Sequence, residues 1–196
     1  MARAIYIHIP FCKTICSYCD FCKFIYNEKW VYVYLKALKN EINDRYMGEK
    51  IRTIYIGGGT PSALSIQEIK KLLDMLKVID TSSLEEFTFE CNIGDITEEL
   101  LLLLKNYKVN RLSIGIESFD KKNLEFMERS NDFKDTKEKI KLCRKLGFNN
   151  INLDLMYALP GESIKTLKRD LELFLELKPE HISTYSLILE KHTKAY

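Results

Sequence analysis

Six strand-like stretches alternate with helical ones along this chain, and no hairpin signal joins any two of them. The stretches are Ala4–Ile9, Ile51–Gly57, Glu86–Cys91, Arg111–Ile116, Ile151–Met156 and Ile182–Leu187. Helical periodicity fills the intervals at Lys29–Tyr46, from Ser65 onward, at Glu98–Tyr107, from about Lys121 to Glu128, at Phe133–Leu146 and at Ser163–Leu177. Ser65 and Glu68 form a capping box, Thr97 is an N-cap, and Gly147 stands at the C′ position of the fifth helix. Val33, Leu35, Leu38 and Ile42 are available for burial in the first helix, and Ile69, Leu72, Leu73 and Leu76 in the second. Ile164, Leu167, Leu171, Phe174 and Leu175 form the expected stripe of the last. Strands linked only through helices pair in parallel, so the fold class is α/β. Six units fall short of the eight of a closed TIM barrel, which leaves an open partial barrel or a doubly wound sheet.

Strand composition adds a second constraint. Parallel strands covered on both faces read as continuous apolar runs, yet several of these alternate. Ile5, Ile7 and Ile9 are set against Tyr6 and His8; Phe87, Phe89 and Cys91 against Thr88, Glu90 and Asn92. Leu112, Ile114 and Ile116 are set against Arg111, Ser113, Gly115 and Glu117; Ile151, Leu153 and Leu155 against Asn152 and Asp154. One face packs on helices. The other is either wet or lines an interior whose polar groups need partners.

The loop after the first strand carries Cys12, Cys16 and Cys19 in a C-x₃-C-x₂-C spacing. Thiolates on one loop can converge on a metal centre. Three ligands suit a four-iron cube with one iron left open, and S-adenosylmethionine (SAM) fits that iron through its amino and carboxylate groups. Cys22 offers a fourth thiolate, so zinc and a closed four-cysteine cluster stay open as readings. A disulfide framework requires an oxidising compartment, of which the chain gives no sign.

Gly57-Gly58-Gly59-Thr60-Pro61 ends the second strand without the Lys-Ser/Thr ending of a P-loop. Alone it is a tight turn; at the same sheet edge as the cysteines it is a place where backbone approaches a ligand. Glu90, Glu117 and Asp154 share that edge with Arg129 just beyond, able to accept from hydroxyls, pair an ammonium or clamp a carboxylate. For any one of them a structural ion pair is a competing reading. Tyr18 and Phe21 could flank an adenine ring. His8 reads as a packed neighbour of the metal centre, Leu159–Glu162 as a turn, and Cys91 and Cys143 as buried thiols. His181 and His192 are too isolated to interpret.

Composition excludes more than it assigns. Of 196 residues 46% are hydrophobic and 30% charged, with a net charge of +2. That balance makes no electrostatic case for nucleic acid or a membrane surface. The apolar run Leu100–Leu104 is far too short to span a bilayer. Six cysteines with no export signal lead to the expectation of reduced thiols in the cytoplasm.

Taken together, these motifs resemble the radical SAM superfamily, and within it the oxygen-independent coproporphyrinogen III oxidase and haem chaperone group. The resemblance rests on Tyr-Ile-His-Ile-Pro-Phe-Cys-x₃-Cys-x-Tyr-Cys-Asp-Phe (6–21), Gly-Gly-Gly-Thr-Pro-Ser (57–62) and Asn-Arg-Leu-Ser-Ile-Gly-Ile-Glu-Ser-Phe (110–119). Asn-Leu-Asp-Leu-Met-Tyr-Ala-Leu-Pro-Gly (152–161) and His-Ile-Ser-x-Tyr-x-Leu (181–187) complete it. It implies a (βα)₆ three-quarter barrel over residues 1–196, with the family's C-terminal domain absent. A [4Fe–4S] cluster on Cys12, Cys16 and Cys19 is implied, with SAM on the open iron. Implied SAM contacts are Tyr6, Tyr18, Phe21, Gly58, Gly59, Thr60, Glu90, Glu117, Arg129, Asp154 and Ile188. The implied activity is reductive cleavage of SAM in porphyrin or haem metabolism, fed by an electron-donor protein; a haem-binding chaperone is the alternative. Phe21 stands where the oxidases have a further cysteine, which is the chaperone pattern. Departures from the family are Glu117 for the usual Gln, Asn92-Ile93-Gly94 for Asn-Pro and Ser130-Asn131 without the histidine that often follows the arginine. Ala158 also replaces Gly before Leu-Pro, and Glu190–Thr193 replaces a Gly-Thr ending.

Overall fold

Each α-helix starts where a short polar side chain can satisfy its first free N–H groups, and those caps set the element boundaries. The computed structural model describes residues 3–196, so Met1 and Ala2 of the expected core lie outside it. The order is β1 (Ala4–Ile9), β2 (Phe11–Cys12), β3 (Phe24–Ile25), α1 (Glu28–Arg45), β4 (Thr53–Gly58), α2 (Ile66–Met75) and β5 (Glu86–Asn92). It continues with α3 (Glu98–Asn106), β6 (Arg111–Glu117), α4 (Lys121–Phe126), α5 (Phe133–Lys145), β7 (Ile151–Tyr157), α6 (Ile164–Glu176) and β8 (His181–Ser186). Asn27, Ser65, Thr97, Asp120, Asp132 and Ser163 cap α1 to α6 in turn, and Ser65 and Glu68 form the full capping box.

The six long strands make one all-parallel sheet in the order β1-β4-β5-β6-β7-β8. It is a (βα)₆ partial barrel with β1 and β8 at its edges. The register places Ile7 beside Ile56, Ile56 beside Phe89, Phe89 beside Leu112 and Leu112 beside Ile151. All five side chains are buried in the main core together with Leu72 and Leu73 of α2 and Leu101 and Leu104 of α3. The alternate rows point the other way: Tyr6, Tyr55, Thr88 and Arg111 in one, and Glu90, Ser113, Asn152 and His181 in the next.

Two helical stripes differ from expectation. Val33 is 64% exposed, and Val31, Leu35 and Leu38 take the buried face of α1, with Ile42 partly covered. Val31, Leu35, Leu38 and Ile42 follow one i, i+4, i+7 line, and Val33 sits two residues off it. In α6, Ile164 and Leu175 are 72% and 65% exposed, whereas Asp170 is buried. Asp170 is drawn in because Ser118 Oγ donates to its Oδ2 at 2.5 Å and the Phe119 amide to its Oδ1 at 3.0 Å. A buried carboxylate with two donors is satisfied, and it shares the face of the helix on which Leu167, Leu171 and Phe174 pack against the core. The small parallel pair β2–β3 was not anticipated, because two residues carry no periodicity.

The turn Leu159–Glu162 does more than reverse the chain. Glu162 accepts from the Ala158 amide at 2.7 Å and from Asn123 Nδ2 at 3.0 Å, which fastens the end of β7 to α4. Ala158 has φ +61°, in the region that favours glycine. Left-handed backbone costs an L-residue about 1–2 kcal/mol, and glycine gives back about 0.4–1 kcal/mol through unfolded-chain entropy. Ala158→Gly is therefore expected to stabilise the protein by about 1 kcal/mol in urea unfolding; an unchanged or lower midpoint would show that no strain is held there.

Candidate functional site

Proline at position 10 ends β1, and the chain then makes a closed excursion that returns beside itself. The Phe24 amide donates to Pro10 O at 2.6 Å and the Tyr26 amide to Cys12 O at 2.8 Å, so the cysteine loop is shut at its base. Its outer parts are tied to other elements. Lys13 Nζ reaches Asp95 at 2.6 Å, Ser17 Oγ donates to Phe126 O at 2.5 Å, and His8 Nε2 lies 2.9 Å from Cys22 O. Cys12 is buried, Cys16 and Cys19 are half-buried and Cys22 is exposed; all are free thiols. Burial pushes the Cys12 and Cys19 thiols up, so binding a metal there displaces protons.

The glycines at and just past the end of β4 are dictated by close packing. A Cβ at Gly57 would sit 2.7 Å from the Glu90 carboxyl carbon, and one at Gly59 would sit 3.0 Å from Cys12 Sγ. Gly58, at φ +119°, would place a Cβ 2.7 Å from the His8 ring. Its amide donates to Glu90 Oε2 at 2.9 Å, and Tyr55 OH donates to Glu90 Oε1 at 2.5 Å. Thr60 Oγ1 donates to Cys12 Sγ at 3.4 Å. Thus one short segment links the cysteine loop to the first carboxylate.

Glu117 ends β6 at a bulge, where the register with β7 shifts, and its φ is +72°. Bulges commonly re-aim a side chain beside a site. Arg129 follows α4, whose end is closed by the positive φ of Glu128 and by the Arg129 amide donating to Leu124 O. Its Nη2 donates to Gly115 O at 2.6 Å and its Nη1 to Cys16 Sγ at 3.5 Å, while the buried Nε has no partner. Asp154 accepts from Asn152 Nδ2 at 2.8 Å.

These groups meet in one cavity of about 500 Å³ at the C-terminal edge of the sheet. Cys12, Cys16 and Cys19 line it, and so do Gly58, Gly59, Thr60, Glu90, Glu117, Arg129 and Asp154. Tyr6, Tyr18, Phe21 and Ile188 complete the expected set around its walls and rim, with Phe21 70% exposed. Cys22 is not among the lining residues. Asn152 ties the wall together by donating to Ser113 Oγ at 2.9 Å and accepting from Ser183 Oγ at 2.9 Å, and its Oδ1 meets His181 Nδ1. Ser113 and Asn152 were placed on the polar strand face by the sequence without a role, and Tyr55 and Tyr185 were given none. Strand alternation was the available signal for each, and it does not separate a site wall from a wet face.

Electrostatics follow from burial. Burial raises Glu90 and Asp154, with their hydrogen bonds pulling back. Glu117 is pushed up to about 7 by burial and by Asp154, with Arg129 and Tyr18 opposing. Three crowded acids and one arginine put charged groups of both signs around one cavity. Among the described residues no group of three or more His, Cys, Asp or Glu is arranged to hold one metal ion. A cube asks something else, since each thiolate binds a different iron. Three thiols from one loop, an unpaired buried Nε and the carboxylate wall fit a [4Fe–4S] cluster and SAM.

The profile of the Radical SAM superfamily matches residues 6–174. The chain is 44% identical over 189 residues to the haem chaperone HemW of Lactococcus lactis, covering 96% of this chain and 50% of the relative. It is 43% identical over 199 residues to HemW of Bacillus subtilis, covering 99% and 52%. Among solved structures, the coproporphyrinogen III oxidase HemN of Escherichia coli, described as a radical SAM enzyme, superimposes with a TM-score of 0.87 at 28% identity, covering 93% of this chain and 43% of that one. The chain spans about half the length of the curated relatives it matches.

Glu117 supplies a pH test of the site. Its folded value near 7 lies above the ordinary 4.5, so the unfolded chain loses its proton first as pH rises. Stability is therefore lost between those two values and stays lost above them, by about 3 kcal/mol in full. Relative to the native protein, cluster-free Glu117→Gln should gain stability progressively from pH 4.5 to 7 and then level off. Parallel thermal melts at several pH values check this, and a constant difference would refute the raised value.

Proposed function

The chain belongs to the radical SAM superfamily, and from that premise we propose that Cys12, Cys16 and Cys19 hold a [4Fe–4S] cluster with SAM at its open iron. When bound, the pair supplies reductive cleavage of the sulfonium carbon–sulfur bond and, through it, hydrogen abstraction from a substrate. The observation that carries the reading is the convergence of the three thiols and the polar strand ends on a single cavity. Glu90, Glu117 and Asp154 supply negative charge and acceptors for an ammonium or ribose hydroxyls, and Arg129 offers its free Nε to a carboxylate. Gly58, Gly59 and Thr60 leave backbone open to the amino end. Tyr6 borders the metal centre, Tyr18 and Phe21 flank the base, and Ile188 closes the rim.

Residues 1–196 form the radical SAM core domain in this reading, and the site acts in porphyrin or haem metabolism. The relatives named haem chaperones support a haem-handling role, and Phe21 at the position of the oxidases' extra cysteine supports the chaperone type. A coproporphyrinogen dehydrogenase-like oxidoreductase is the finer enzymatic alternative. Reduced thiols suit a cytoplasmic location and a protein electron donor. No helix among the described residues is long and apolar enough to cross a membrane.

Anaerobic reconstitution tests the proposal. The native chain should take up about four irons and yield 5′-deoxyadenosine from SAM once dithionite is added. Cys12→Ser, Cys16→Ser and Cys19→Ser should each lose the cluster, whereas Cys22→Ser keeps it. Haem binding without 5′-deoxyadenosine would favour a chaperone that does not cleave SAM. Stoichiometric zinc without iron would overturn the reading.

A further inference from the structure

Arg129 faces two ways. Its guanidinium lines the same cavity as Glu90, Glu117 and Asp154, yet one arm points back at the cysteine loop, where Nη1 donates to Cys16 Sγ at 3.5 Å. Nη2 is held by Gly115 O at 2.6 Å, which fixes the plane of the fork against β6.

The approach of arginine to sulfur is also set by the backbone around it. Ser17, next to Cys16, is fastened twice to the end of α4: its amide donates to Met127 O at 3.4 Å and its hydroxyl to Phe126 O at 2.5 Å. Arg129 leaves the same helix end two residues later. Ser17 O in turn accepts from the Ala195 amide at 2.9 Å, and Lys194 pairs with Glu128 at 2.8 Å. Four contacts thus hold the segment carrying Cys16 and the segment carrying Arg129 in one relative position. A charged donor is kept against this thiol, while Thr60 serves Cys12 with a neutral hydroxyl at 3.4 Å.

We propose that Arg129 tunes the cluster: through its hydrogen bond to Cys16 Sγ it makes the one-electron reduction of the [4Fe–4S] centre more favourable. This rests on the cluster assignment above. An electron added to such a centre places more negative charge on its sulfur ligands, and hydrogen bonds to those sulfurs are among the levers that set its potential. A buried cation acting through a low-dielectric medium stabilises the reduced form more than the oxidised one. Arg129 takes no electron itself; the electron comes from a low-potential one-electron reductant, and the role of the residue is positioning charge.

The test is a potentiometric titration of the reconstituted protein with dithionite, without SAM, followed by electron paramagnetic resonance of the reduced cluster. Omitting SAM separates this role from any contact Arg129 makes with the ligand. Arg129→Met should keep its iron and shift the midpoint negative by at least about 59 mV, a tenfold less favourable one-electron reduction. Arg129→Lys, which keeps charge but not the fork, should shift it less. An Arg129→Met protein with full iron and an unchanged midpoint would overturn the tuning role while leaving the cluster assignment intact. Should the methionine variant fail to load, Arg129→Gln is judged by the same criterion. Failure of the native chain to take up iron would instead defeat the underlying assignment.

Discussion

Ile7, Ile56, Phe89, Leu112 and Ile151 occupy one register row across five neighbouring strands, and each is buried. Side chains alternate strictly along a strand, so this row obliges its neighbours to point the other way. Glu90 beside Ser113, and Gly115 beside Asp154, are consequences of that same pairing. A slip of one residue in β6 or β7 would bury Glu117 or Asp154 under the helices and turn core isoleucines into the cavity. The hydrophobic rows therefore fix the polar ones, and the site inherits its geometry from the core.

A polar interior has to be satisfied, and the protein does so unevenly. Tyr55 and the Gly58 amide serve Glu90, and Asn152 serves Asp154 while engaging Ser113, Ser183 and His181. Around Glu90 and Asp154 the network is closed. Elsewhere on the same cavity wall it is left open: Arg129 Nε has no partner, and Glu117 is raised by burial and by Asp154. Buried polar groups without partners are costly, and a charged ligand would relieve both.

The cysteine loop is positioned from several sides. Its base is closed by β2 and β3, its flanks by Lys13 on Asp95 and Ser17 on the end of α4, and its far side by His8 on Cys22 O. Gly59 makes room for Cys12, and the turn at Leu159–Glu162 binds α4 to the end of β7. Segments distant in sequence thus hold thiols, carboxylates and arginine within a single pocket.

The sequence alone determined the alternation of strands and helices, the caps at Ser65 and Thr97, and the polar face of four of the six long strands. Those depend on local spacing and on side chains within a few residues of one another. The cysteine spacing and the strand-end acids were legible for the same reason: Cys12, Cys16 and Cys19 line one cavity with Glu90, Glu117 and Asp154, and Cys22 does not. Tertiary structure alone decided that Val33, Ile164 and Leu175 face outward and that Asp170 goes inward, because burial depends on partners such as Ser118 across the fold. It also decided the bulge at Glu117, the left-handed backbone of Ala158 and the reach of Arg129 to Cys16. Each arises between segments that no local pattern relates, where packing and hydrogen bonding across the chain outweigh the preferences of the individual residue.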